Sequence, residues 1–206
     1  LEEVEYLKLD KDMLFSDFIT SSDKVYTIGT EVEATEVENG KNYFKNVLIS
    51  ISGNDGDFTI DTIKELEANT EKQYFFNDVI TKENYLYAVS AGRRDLDSLE
   101  KIYAGAIYRY DLVNETSEFY TIEEIFPSDI YDIGDDFLAI SHESITIDKL
   151  GFTIFNYETL QSEFVDISPY AISENERIVD IKRLDLNHLL LLTENQLIVY
   201  DILKGT

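Results

Sequence analysis

The sequence predicts an all-β chain built from four similar four-stranded sheets, and three observations carry that prediction. The phrase "SDFITSSDKVYTIGT" (16–30) returns as "NDVITKENYLYAVSA" (77–91) and again as "SDIYDIGDDFLAISH" (128–142), each time without a gap. A second phrase, "AIYRYDLVNETSEFYTI" (106–122), is followed by "FTIFNYETLQSEFVDI" (152–167), with Tyr110 over Phe155 and Glu118-Phe119 over Glu163-Phe164. A fourth copy runs from "RIVDI" (177–181) through "NHLLLLTEN" (187–195) to "LIVYDILKGT" (197–206) and stops one strand short, while "EVEYL" (3–7) has the pattern of the missing strand.

Within each unit the elements follow in order. A short apolar run, Phe18-Ile19, Val79-Ile80 or Ile130-Tyr131, is the first strand. The second strand alternates, as β-branched and aromatic residues do when one face is buried. Val25, Thr27 and Gly29 share one face, and the ungapped repeat places Leu86, Ala88 and Ser90, then Phe137, Ala139 and Ser141, at the matching positions. The second phrase supplies the third and fourth strands around a polar turn of Asn, Asp, Gly or Thr, residues that give a hairpin its backbone freedom or its local hydrogen bonds. "NVLISISGNDGDFTI" (46–60) is a looser early copy, and "KELEANTEK" (64–72) is expected as a short helix or irregular link. The units fall at 14–61, 77–122, 128–167, and 177–206 together with 3–9, in one domain of 206 residues.

Four-stranded units at this spacing resemble the blades of β-propellers. The resemblance covers the whole chain and implies a small propeller of four blades, with the N-terminal strand completing the last; the alternative is a fragment of a larger propeller. The WD40 and kelch signatures are absent. The four-unit count is similar to that of hemopexin-like domains, but the chain has no Trp and no Cys, so none of that family's residues is carried over.

Composition narrows the function. Acidic residues number 42 against 17 basic ones, a formal net charge of −25. Such a surface repels phosphate backbones, which excludes nucleic acid as an expected partner and disfavours anionic membranes. Without cysteine there is no disulfide framework or thiolate chemistry, and no apolar run approaches the length of a membrane-spanning helix. The chain opens on Leu1, and the expectation is an exported or surface-anchored protein trimmed of a leader.

The connections between second and third strands (30–45, 91–105 and 142–151) are long and variable, and loops on a rigid scaffold tend to carry function. In the second of them Arg93 and Arg94 stand out against the acidic background, beside Asp95 and Asp97; they suit a partner or an acidic ligand, or neutralise their own neighbours. His142 and Glu143 open the third, without a nucleophile or second base beside them. His188 reads as a strand-start residue. Asp17, Asp78 and Asp129 recur just before each first strand, as turn acceptors or as a carboxylate ring for calcium; the fourth unit offers Arg177 or Asp180 there. The expected function is a non-enzymatic module presenting these loops to a protein or surface polymer. The alternative is a carbohydrate-acting hydrolase with paired carboxylates.

Overall fold

The computed structural model describes residues 12–21, 24–31, 35–36, 42–43, 45–54, 57–66, 74–94, 101–122, 126–143, 149–173 and 176–205. These are all β, in antiparallel sheets, with one 3-10 turn at Ser168–Tyr170 and no α-helix among them. In sheet 1, β1 (Met13–Phe15) and β2 (Ile19–Ser21) both pair with β3 (Lys24–Glu31). A two-stranded ribbon of β4 (Thr35–Glu36) and β5 (Asn42–Tyr43) follows, and then the hairpin of β6 (Asn46–Asn54) and β7 (Asp57–Glu65). Sheet 2 has β8 (Phe75–Lys82) beside β9 (Tyr85–Ala91), a second ribbon of β10 (Arg93–Arg94) and β11 (Lys101–Tyr103), and then β12 (Ala106–Asp111) and β13 (Ser117–Thr121). Sheet 3 is β14 (Pro127–Asp132), β15 (Phe137–His142), β16 (Gly151–Asn156) and β17 (Gln161–Asp166). Sheet 4 is β18 (Ile178–Arg183), β19 (His188–Thr193) and β20 (Leu197–Asp201). The expected completing strand at 3–9 and most of the 64–72 link lie outside the described residues.

Each sheet is a meander because each turn has the residues its backbone needs. Asp111 holds the β12–β13 turn by accepting from the N–H groups of Val113 and Asn114. Asn156 does the same for Glu158 and Thr159 in sheet 3, and Asp201 for Leu203 and Lys204 after β20. These Asx turns are local and stabilise the reversal without help from the core.

The pairing corrects one sequence expectation. Turn residues Asp111 and Asn156 are equivalent, and they pair with Tyr85 and Phe137. Leu86 therefore corresponds to Leu138, not to Phe137. Leu86 and Ala88 pack toward sheet 1, and their counterparts Leu138 and Ile140 pack toward sheet 2, whereas Ala139 packs toward sheet 4. The cause is one extra residue in the turn between β14 and β15, which leaves β14 in the ungapped register and moves β15 by one. A slip of one residue exchanges the two faces of a strand. Gly134 takes this longer turn at φ +81°, a conformation that favours glycine.

Successive sheets pack face to face through apolar clusters. Ile28 and Leu48 meet Val79, Leu86 and Tyr108 between sheets 1 and 2. Tyr87, Val89 and Ile107 meet Ile130, Leu138 and Phe155 between sheets 2 and 3. Ala139 and Phe152 meet Leu189, Leu191 and Tyr200 between sheets 3 and 4. One cation also ties each junction. Lys64 Nζ donates to the Glu115 carbonyl at 3.1 Å, Lys82 reaches Asp132 at 2.8 Å, and Arg183 reaches the Ile133 carbonyl at 2.8 Å and Asp135 at 2.7 Å. Among the described residues no apolar cluster joins sheet 4 to sheet 1. Among the described residues nothing covers the outward face of sheet 4, where Leu192, Leu197 and Val199 are 40%, 65% and 55% exposed, while Leu189 and Leu191 on its other face are fully buried.

Candidate functional site

The first strands of sheets 2, 3 and 4 carry a bulge at one place, between Phe76 and Asp78, Pro127 and Ile130, and Ile178 and Asp180. A bulge re-aims side chains, and here it sets an aspartate at each. The structure completes the series with Asp180, which pairs opposite Leu192 as Asp78 pairs opposite Val89. Asp17, Asp78, Asp129 and Asp180 thus recur at intervals of 61, 51 and 51 residues.

Their oxygens are largely spent on the fold. Asp17 Oδ1 accepts from the Phe18 N–H and Asp78 Oδ1 from the Val79 N–H, both at 2.7 Å. Asp78 Oδ2 accepts from the Ile130 N–H of the next sheet at 2.9 Å, and Asp129 Oδ2 from the Ser141 hydroxyl at 3.0 Å. Burial pushes the Asp78 carboxyl up; the two backbone donors pull it down, and the charges of Asp129 and Asp17 push it up again. Burial and then Asp129 likewise raise the Tyr131 phenol, with Asp180 and Asp78 adding to the shift. The aspartates therefore share one field of negative potential. Among the described residues no group of three or more His, Asp or Glu side chains is placed to hold a metal ion. Replacing Asp78 by Ala strands two backbone donors, one of them in the neighbouring sheet. We expect a loss of about 2 kcal/mol, read as a lower urea midpoint with an unchanged m-value.

Where these strands converge lies a cavity of about 430 Å³. Sheet 1 contributes Phe15, sheet 2 Phe76 and Asn77, sheet 3 Asp129, His142 and Glu143, and sheet 4 Arg177 and Val179. These are the end of β1, the starts of the first strands of sheets 2, 3 and 4, and the end of the second strand of sheet 3. The cavity therefore sits at the end of the molecule where β3, β9 and β15 finish and where the β4–β5 and β10–β11 ribbons follow the first two.

Of the residues singled out in sequence, Asp129, His142, Glu143 and Arg177 meet at this cavity, and Asp17, Asp78 and Asp180 are not among its lining residues. His142 is 4% exposed; its Nε2 lies 2.8 Å from Thr153 Oγ1, its ring meets the edge of Phe164, and its Nδ1 has no partner. Burial pushes its pKa down to about 3, so the ring is neutral at pH 7. Arg93 lies on the exposed β10–β11 ribbon and is not part of the cavity. Arg94 also lies in β10; its side chain, like Asp95 and Asp97, is outside the described residues. His188 begins β19 and lies 2.8 Å from Asp185, a turn role. Asn77 was missed. Its signal was the residue before each repeated aspartate: Asn77 and Ser128 both line the cavity, and Asn77 Nδ2 donates to the Pro127 carbonyl of the next sheet at 2.8 Å.

No family model matches the chain, and no curated protein matches it. Among solved structures it is similar to a Synechocystis apocarotenoid oxygenase, at 8% identity and a TM-score of 0.45, over 89% of this chain and 45% of that one. It is similar to the extracellular domains 1–2 of Drosophila Semaphorin 1a at 10% identity and a TM-score of 0.49, over 93% and 56%. A Mycobacterium tuberculosis puromycin-hydrolyzing peptidase matches at 13% identity and a TM-score of 0.41, over 94% and 37%. The chain spans about half the length of the first two and about a third of the peptidase. No helix of the described residues is long and apolar enough to cross a membrane.

Proposed function

We propose that the four sheets are successive blades of a propeller-type arrangement, and that the molecule is a non-enzymatic binding module presenting its ribbon-bearing end to a partner protein. The observation that supports this most directly is the cavity lined from all four sheets at the end where the variable connections emerge. A rigid scaffold with adaptable loops at one end suits recognition. A photo-crosslinking residue at Arg93 or Glu143 should capture a partner from the native extract. The same residue at Glu158, in the β16–β17 turn at the other end, should not. Capture only at Glu158 would place the working surface at the wrong end and sink the reading.

A second reading, a carbohydrate-acting hydrolase, is favoured by one arrangement. Asp129 and Glu143 line the same cavity beside the rings of Phe15 and Phe76, and glycoside hydrolysis needs two carboxyl groups across a sugar ring. Turnover of aryl glycosides that disappears in Glu143→Gln would put this reading first.

A further inference from the structure

We propose that the axial cavity seats a lysine or arginine side chain of the partner protein, an inference that rests on the binding-module reading above and names what the module recognises. The cavity is negative, and its charges are not neutralised from within. Asp129 and Glu143 line it. Asp129 uses only Oδ2 on Ser141, and the Glu143 carboxylate has no described partner. Asp78, of the same repeated series, has both carboxylate oxygens held by backbone N–H groups. Among the described residues the one cation in the wall, Arg177, is turned onto Glu194 at 2.9 Å. A protein of net charge −25 also steers cations toward it from a distance.

The rest of the wall fits a cation on an apolar stem better than a bare ion. Phe15, 44% exposed, supplies ring surface, which attracts a cation and packs methylenes. His142, buried in the wall, adds no opposing charge; when its Nε2–H donates to Thr153 Oγ1, the lone pair of the unpartnered Nδ1 is left as an acceptor. A hard metal ion would want several oxygens converging on one point, and the described carboxylates do not converge so. A volume of about 430 Å³ is at the small end of ligand pockets, which suits one side chain rather than a folded segment.

The probes are Nα-acetyl-lysine methylamide and Nα-acetyl-arginine methylamide, titrated into the whole chain and followed by amide chemical shifts. The norleucine and glutamate analogues serve as controls. We expect saturable binding with Kd on the order of 1 mM for the two basic probes, shifts centred on Asn77, Asp129 and Glu143, and none for the controls. Glu143→Gln, whose side chain holds no described contact, should weaken binding about tenfold, and the exposed control Asp61→Asn on sheet 1 should leave it unchanged. Equal binding of norleucine, no saturation by the basic probes, or indifference to Glu143→Gln would overturn the inference. So would calcium saturating the same residues at lower concentration, which would make this a hard-cation site. If crosslinkers at the ribbon end capture a partner while the probes fail, this inference falls alone. If the probes bind and only Glu158 captures, the broader reading falls instead.

Discussion

Lowering the pH from 7 to 4.5 should cost the native state about 2.5 kcal/mol through His142 alone, a loss that His142→Gln abolishes. The ring takes up a proton near pH 6.5 when unfolded, but burial holds it neutral in the native state down to about pH 3. Below pH 6.5 the unfolded chain therefore binds more protons than the native one, and stability falls with pH. The contribution is fully present above pH 6.5 and is lost progressively as pH drops toward 3. No charged neighbour sets this shift; the ring meets Thr153 and Phe164 and is simply dry. The many carboxylates titrate over the same range, so the informative quantity is the difference between wild type and variant in urea unfolding at the two pH values. Parallel pH dependences would mean that the native ring is protonated and that the wall of the cavity opens to water.

The first strands were legible in sequence because their constraint is local and repeats. Each opens on a turn, and an aspartate accepting the following N–H satisfies the freed backbone, as Asp17 and Asp78 do. The face of the second strand in sheet 3 was not legible. Leu138, Ala139 and Ile140 are all apolar because the strand packs between sheets 2 and 4, and Phe137 is apolar although it is 38% exposed, so alternation carries no record of which residue faces which neighbour. Only the turn length reports the slip, and one extra residue between Ile133 and Phe137 is easily absorbed. In sheet 4 the choice between Arg177 and Asp180 stayed open for a related reason. The bulge at Val179 spends a residue that period-two counting cannot see. His142 and Glu143 could be named from their place at the head of a loop; what the sequence could not supply is that the end of β1 and the starts of the first strands of sheets 2, 3 and 4 meet beside them.

Neighbouring leucines in β19 separate an open arc of sheets from a closed ring. Leu191 is fully buried against sheet 3, and Leu192, one residue on, is 40% exposed on the opposite face. Both sit in one strand, so differences in β-propensity cancel between them. Leu191→Ala should cost about 3 kcal/mol, as emptying a packed core position does. Leu192→Ala and Leu197→Ala should each cost less than about 1 kcal/mol, because the removed methyl groups were already largely in water. The comparison is decisive because sheet 4 repeats the logic of its neighbours. The faces equivalent to Leu192 and Leu197 are Val89 and Ile107 in sheet 2, and both are fully buried by the next sheet. A ring of four would bury Leu192 and Leu197 in the same way against sheet 1, and truncating either would then cost as much as truncating Leu191. Repeat architectures end stably when the outer face of the last repeat is polar. The outward face of sheet 4 carries Leu192, Leu197 and Val199 instead, so small costs at Leu192 and Leu197 beside a large one at Leu191 would show that this face is not packed as the three junctions among the described residues are.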